Sequence, residues 1–234
     1  MLGVDYHNIR DIQNFEYTNF ITDILKNESE NEFAVFVTNS IINSISWENT
    51  LHSDYYIQQV FEILMKNHFK SVWPILSKDL INEDEGFTKF WELKEILGSR
   101  ISASRGKKGV LFLGDIDEIF KWCHNNSPLA PIRIAGLVPI YNNNNQDFTQ
   151  WNPIAKRLID EFGNNKAMLD ELSSNMYSVS WIGSMVPLLQ SKKELFESIS
   201  NHPIPQVSEW AKQNIHYTEK EIEKEKNRDI ETFL

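Results

Sequence analysis

The chain has 234 residues, 41% of them hydrophobic, 12% aromatic and 24% charged, a composition that excludes global disorder and supplies enough apolar side chain for a sizeable core. Its formal net charge of -10 and pI near 5.1 mean that phosphate backbones repel the chain as a whole, so any nucleic-acid contact has to be local. Cys123 is the single cysteine, which excludes an internal disulfide and a cysteine-based zinc site and fits a reducing compartment.

Met1 to Arg10 lack the apolar core of a signal peptide, and no later stretch approaches the ~18 uncharged apolar residues of a membrane span. A cytoplasmic address without a membrane partner is therefore expected. From there on, apolar residues recur with the three-to-four-residue rhythm of helices. Tyr17, Phe20, Ile21, Ile24 and Leu25 form a first stripe. Phe33-Ala34-Val35-Phe36-Val37 is β-rich in composition, but Val37, Ile41 and Ile45 continue it in four-residue steps. A lone strand would have nothing to pair with, so this segment is also read as a helix. Ile57, Val60, Phe61, Leu64, Met65, Phe69 and Val72 make the longest stripe. Phe87, Phe90, Leu93 and Leu97 follow, then Ile116, Ile119, Phe120 and Cys123 behind the start signal Gly114-Asp115. Ile154, Leu158, Ile159 and Phe162 run into Gly163-Asn164-Asn165, after which Met168, Leu169, Leu172 and Met176 resume the period. This spacing predicts a helical hairpin whose Gly and Asn residues take left-handed backbone angles.

Polar runs at 27–32, 82–86 and 142–150, the last with a four-Asn tract, read as connections. Trp91, Trp122, Trp151, Trp181 and Trp210 lie 31, 29, 30 and 29 residues apart, about the length of a two-helix unit, although their neighbouring residues differ. Pro74, Pro139 and Pro187 each sit between apolar residues, as expected of a proline in the first turn of a buried helix. The fold expected is all-α, a single body over 1–234 built of stacked helical hairpins.

Near the C-terminus, Leu195-Phe196-Glu197-Ser198-Ile199 ends a helix, Asn201-His202-Pro203-Ile204-Pro205 turns, and Val207, Trp210, Ala211 and Ile215 restart the helical spacing. This run resembles a HEAT-type repeat, whose units end one helix, turn through an Asn/Asp-Pro segment and open the next with Val, a basic residue and Ala. Ser208 stands where that family usually has Arg. The resemblance implies an α-solenoid, with a HEAT-like hairpin and terminal helix over 186–232, and it implies no activity. Glu219 to Asp229 is almost fully charged, with Glu221–Lys224, Glu223–Lys226 and Glu225–Arg228 at i,i+3. A polar helix of this kind suits the exposed end of a stacked array. From Trp181-Ile182-Gly183-Ser184 to the end, the chain also resembles the C-terminal helical region of large bacterial multidomain proteins, including defence-type ones.

Few residues carry chemistry. The stretch 98–109 places Arg100, Arg105, Lys107 and Lys108 among glycines and serines, the parts from which anion sites are made. It is not a P-loop, because Ile101 and Lys108 occupy positions where that pattern needs Gly and Ser or Thr. These four residues are the candidate anion or nucleic-acid contacts. Asp115, Asp117 and Glu118 read as helix N-terminal charge rather than a metal site. Asp79, Glu92 and Lys94 follow the acid, acid, lysine order of metal-dependent nucleases, but Glu92 and Lys94 sit in a helical stripe where that chemistry uses a strand. The six histidines show no zinc spacing, and Cys123 falls in a buried register, which makes it a structural thiol. No cofactor or catalytic residue is expected. The function expected is a non-catalytic scaffold binding a protein partner, with a nucleic-acid- or nucleotide-associated accessory role through the basic stretch as the alternative.

Overall fold

A computed structural model describes residues 15–45, 55–82, 87–98, 109–141, 149–175 and 183–232. The described residues form eleven α-helices and no strand beyond an isolated bridge between Tyr141 and Trp151. They fall into two compact units, the first comprising the described residues up to Gly98 together with 109–130, the second those from 131 onward.

In the first unit, α1 (Phe15–Leu25) packs on α3 (Tyr55–Asn67), and α2 (Asn31–Asn43) packs on α4 (Phe69–Ile81). Segment 33–37 lies inside α2, where Ala34, Val37, Thr38, Ile41 and Ile42 are buried, so the four-residue steps outweigh the β-rich composition. The longest apolar stripe is buried throughout but belongs to two helices, since the chain breaks at His68 between α3 and α4. The His68 ring is buried there, with Nε2 2.8 Å from the Leu25 carbonyl oxygen and Nδ1 3.2 Å from the Asn31 side chain. Ser71 Oγ also donates to Asn31, at 2.9 Å. The break thus ties the end of α1 to the start of α2, and a polar ring replaces the apolar residue that a continuous stripe would carry.

α5 (Phe87–Leu97) packs on α4 and on a 3-10 turn, Val110–Leu113, which also covers α3. α6 (Ile116–Asn125) starts as its sequence predicts, with Asp115 accepting from the Asp117 and Glu118 backbone N–H groups at 3.1 and 3.2 Å. Cys123 is fully buried on α6, and Trp122 meets Trp73 edge to face. The prolines divide. Pro187 opens α10 as expected, Pro74 lies inside α4, and Pro139 lies outside any helix. Pro74 is exposed, on the solvent side of α4, where its missing N–H leaves no buried carbonyl to satisfy by that bond.

α7 (Leu129–Ala135) carries the chain into the second unit, which contains two helical hairpins, α8 (Pro153–Phe162) with α9 (Lys166–Ser174), and α10 (Val186–Glu197) with α11 (Pro205–Thr232). Asn152 caps α8 and Asn165 caps α9 through their side-chain oxygens. Gly163 does not take the left-handed angles expected of it. Its φ of -60° and ψ of -11° are ordinary helical values. What it supplies is space, because a Cβ there would lie 2.3 Å from Val207 Cγ2 and 3.2 Å from Ile204 Cδ1. The turn after α8 therefore presses directly on the start of α11, and any side chain larger than hydrogen would push the two hairpins apart.

Further contacts join the hairpins. Trp151 Nε1 donates to the Leu195 carbonyl at 3.2 Å, Trp210 Nε1 donates to Ser173 Oγ at 2.8 Å, and Phe196 meets both indoles edge to face. Ser208 donates to the Ser200 carbonyl at 2.6 Å and so closes the α10–α11 turn locally. Farther along α11, Glu225 is buried and accepts the Met185 backbone N–H at 3.2 Å, while Arg228 pairs with it. Asp229 accepts from Ser184 Oγ at 2.5 Å. Two carboxylates of α11 thus satisfy and charge-stabilise the N-terminal end of α10.

Candidate interaction groove

In two hairpins laid against each other, the second helices come side by side. Here α9 and the first turns of α11 enclose an open groove of about 450 Å³. Its apolar lining comes from the buried Leu169 and Trp210 and the exposed Pro205, and the Trp210 indole is held by its bond to Ser173 and its packing on Phe196. The rim is built from i,i+4 pairs. On α9, Lys166 bonds Asp170 at 2.6 Å, and on α11, Gln213 Nε2 donates to Glu209 Oε1 at 2.8 Å, with Gln206 one turn before. Both carboxylates are engaged by neighbours along their own helices, which prepares neither as a base. Apolar side chains bordered by mixed charge make a surface on which another side chain can pack.

The turn between α10 and α11 carries a polar relay. The Ile204 N–H donates to His202 Nδ1 at 3.2 Å, so the ring proton sits on Nε2, which donates to Asp160 Oδ1 at 2.9 Å. Lys156 bonds both Asp160 oxygens, at 2.5 and 2.7 Å. Partial burial pushes the Asp160 carboxyl up, but the bonds from Lys156 and His202 outweigh it and hold the group below its ordinary value of 3.8. Replacing His202 by Ala removes two bonds from a nearly buried ring and is expected to cost about 1–2 kcal/mol in urea unfolding at pH 7. Asp160→Asn should cost less, because solvent screens that carboxylate. Its deficit relative to wild type should vanish as pH falls through the depressed folded-state pKa, where Asp160 itself becomes neutral.

Arg100, Arg105, Lys107 and Lys108 lie outside the described residues, as does Trp181. The two ends of the basic stretch are described, and they touch. A Cβ on Gly109 would lie 2.3 Å from the Gly98 carbonyl carbon and the Leu97 oxygen, so the chain leaves α5 and returns at one point where only glycine fits. Asp79 is on α4 and Glu92 and Lys94 on α5. Glu92 is buried and the Lys94 ammonium lies 5.6 Å from the centre of the exposed Trp91 ring, an arrangement that turns the two residues apart. Among the described residues no group of three or more His, Cys, Asp and Glu is placed to hold a metal ion, and no helix is long and apolar enough to cross a membrane.

The groove residues escape sequence reading because Gln206, Glu209 and Gln213 look like any solvated helix face, and Lys166 and Asp170 like an ordinary surface pair. Their only signal is position, on second helices of consecutive hairpins. The chain shows no significant match to a family model, a curated protein or a solved structure.

Proposed function

We propose that this chain is a non-catalytic α-helical interaction module, HEAT-like in its last third, whose stacked hairpins bind a protein partner in the cytoplasm. The observation that carries the reading is the α9–α11 groove, in which apolar side chains lie between two carboxylates each engaged by a neighbour on its own helix. The close seating of Gly163 on Val207 supports a hairpin stack stiff enough to present such a surface without rearrangement. The single, buried cysteine agrees with a reducing compartment. A photo-crosslinking amino acid placed at Gln213 or Gln206 in the native cell is expected to capture a protein, while the same group at the exposed Lys226, more than three turns beyond Gln213 on α11, captures none. Adducts with nucleic acid, or equal yield from Lys226, would overturn the proposal.

A further inference from the structure

α1 is built inside out. Thr18 is 1% exposed and Thr22 and Leu25 are buried, whereas Phe20 is 64% and Tyr17 44% exposed. At 100° per residue, Tyr17, Phe20 and Ile24 fall within about 60° of arc, on the side away from the two threonines. The inward threonines are not left polar and unmet, since Thr22 Oγ1 donates to the Asn19 carbonyl at 3.0 Å. α1 therefore spends its weaker residues on its own unit and keeps an aromatic stripe outward, the reverse of what burial within the chain alone would select.

Charge identifies the occupant. Glu16 and Asp23 flank the stripe on one side at about 40–60° from Phe20, and the exposed residues between 16 and 32 include five carboxylates, Glu16, Asp23, Glu28, Glu30 and Glu32, against the single Lys26, which pairs with Asp23 at 2.6 Å and leaves the surface in net negative charge. An antiparallel second copy crossing at Phe20 would bring Glu16 of one chain beside Asp23 of the other, like charge against like. A helix with its own apolar stripe and lysines or arginines along its flank meets both features, and three turns of α1 match the length over which such a helix anchors. We infer that the outer face of α1 docks a basic amphipathic helix of a partner protein. This face belongs to the first unit and is independent of the α9–α11 groove.

The test is a fluorescence-anisotropy titration of the full chain with a labelled synthetic Leu/Lys amphipathic helix and with its Leu/Glu counterpart. Wild type is expected to bind the Leu/Lys peptide saturably and not the Leu/Glu peptide. Phe20→Ser, at an exposed position that leaves the thermal unfolding midpoint unchanged, is expected to weaken binding about tenfold or more, and Asp23→Lys is expected to weaken it as well. The inference is overturned if the Leu/Lys peptide does not bind, or if Phe20→Ser binds it equally, which would show mere charge attraction. Equal binding of the Leu/Glu peptide would show apolar adhesion and overturn it too. So would a wild-type dimer in sedimentation that Phe20→Ser dissociates, which would make a second copy the occupant.

Discussion

Replacing Lys192 by methionine is expected to stabilise the protein at neutral pH by up to about 3 kcal/mol. Lys192 lies in the middle of the buried face of α10, between Leu188 and the pair Leu195 and Phe196, and is only 4% exposed. Burial lowers its pKa from 10.5 to about 8, because a low-dielectric surrounding disfavours the ammonium form. Each unit of such a shift corresponds to about 1.4 kcal/mol, which sets the upper bound; the polar contacts the ammonium makes reduce it. The sign with pH follows directly. Between about 8 and 10.5 the unfolded chain binds a proton that the folded chain has released, so wild-type stability rises with pH across that window. Methionine matches lysine in length and flexibility and carries no charge. Chemical denaturation at pH 7, 8.5 and 10 should show a rising unfolding free energy for wild type and a higher, flatter series for Lys192→Met. A variant less stable than wild type at pH 7 would mean that the ammonium's contacts outweigh its desolvation.

Truncating Phe196 to alanine should be the most damaging single change in the second unit, with a loss of about 3–5 kcal/mol. The ring is fully buried and held edge to face by Trp151 and Trp210, with centroids 5.6 and 5.0 Å away. Neither indole is free to collapse into the space, because Trp151 Nε1 is bonded at the end of α10 and Trp210 Nε1 at Ser173. A cavity that cannot relax costs the most. Since Trp210 also lines the α9–α11 groove, the near-ultraviolet circular dichroism of the tryptophans should weaken alongside the fall in unfolding free energy. A loss under about 1 kcal/mol would show that the cluster is not the packing centre of the unit.

The exposed pair Lys193–Glu219 gives a contrast with Lys192. Its 2.8 Å contact raises the lysine pKa and lowers that of the glutamate, yet both groups remain in water. Two adjacent lysines on α10 thus shift in opposite directions, one through burial and one through a partner.

Sequence alone determined the helical class and most helix positions, because those follow from the period at which apolar residues recur. Segment 33–37 was legible for that reason despite its composition, and Asp115 was legible because a capping side chain bonds backbone only two and three residues away. Tertiary structure decided everything that depends on which neighbour a face meets. It split the stripe of 57–72 at His68, where a ring pairs with Leu25 and Asn31 some forty residues earlier. It gave Gly163 its role through a contact with Val207 rather than through a backbone angle, turned Thr18 and Thr22 of α1 inward and Tyr17 and Phe20 outward, and brought α9 beside α11 to form a groove. A period records how often a residue faces inward, whereas the identity of the opposing surface comes from residues far away in the chain, whose arrangement local spacing does not encode.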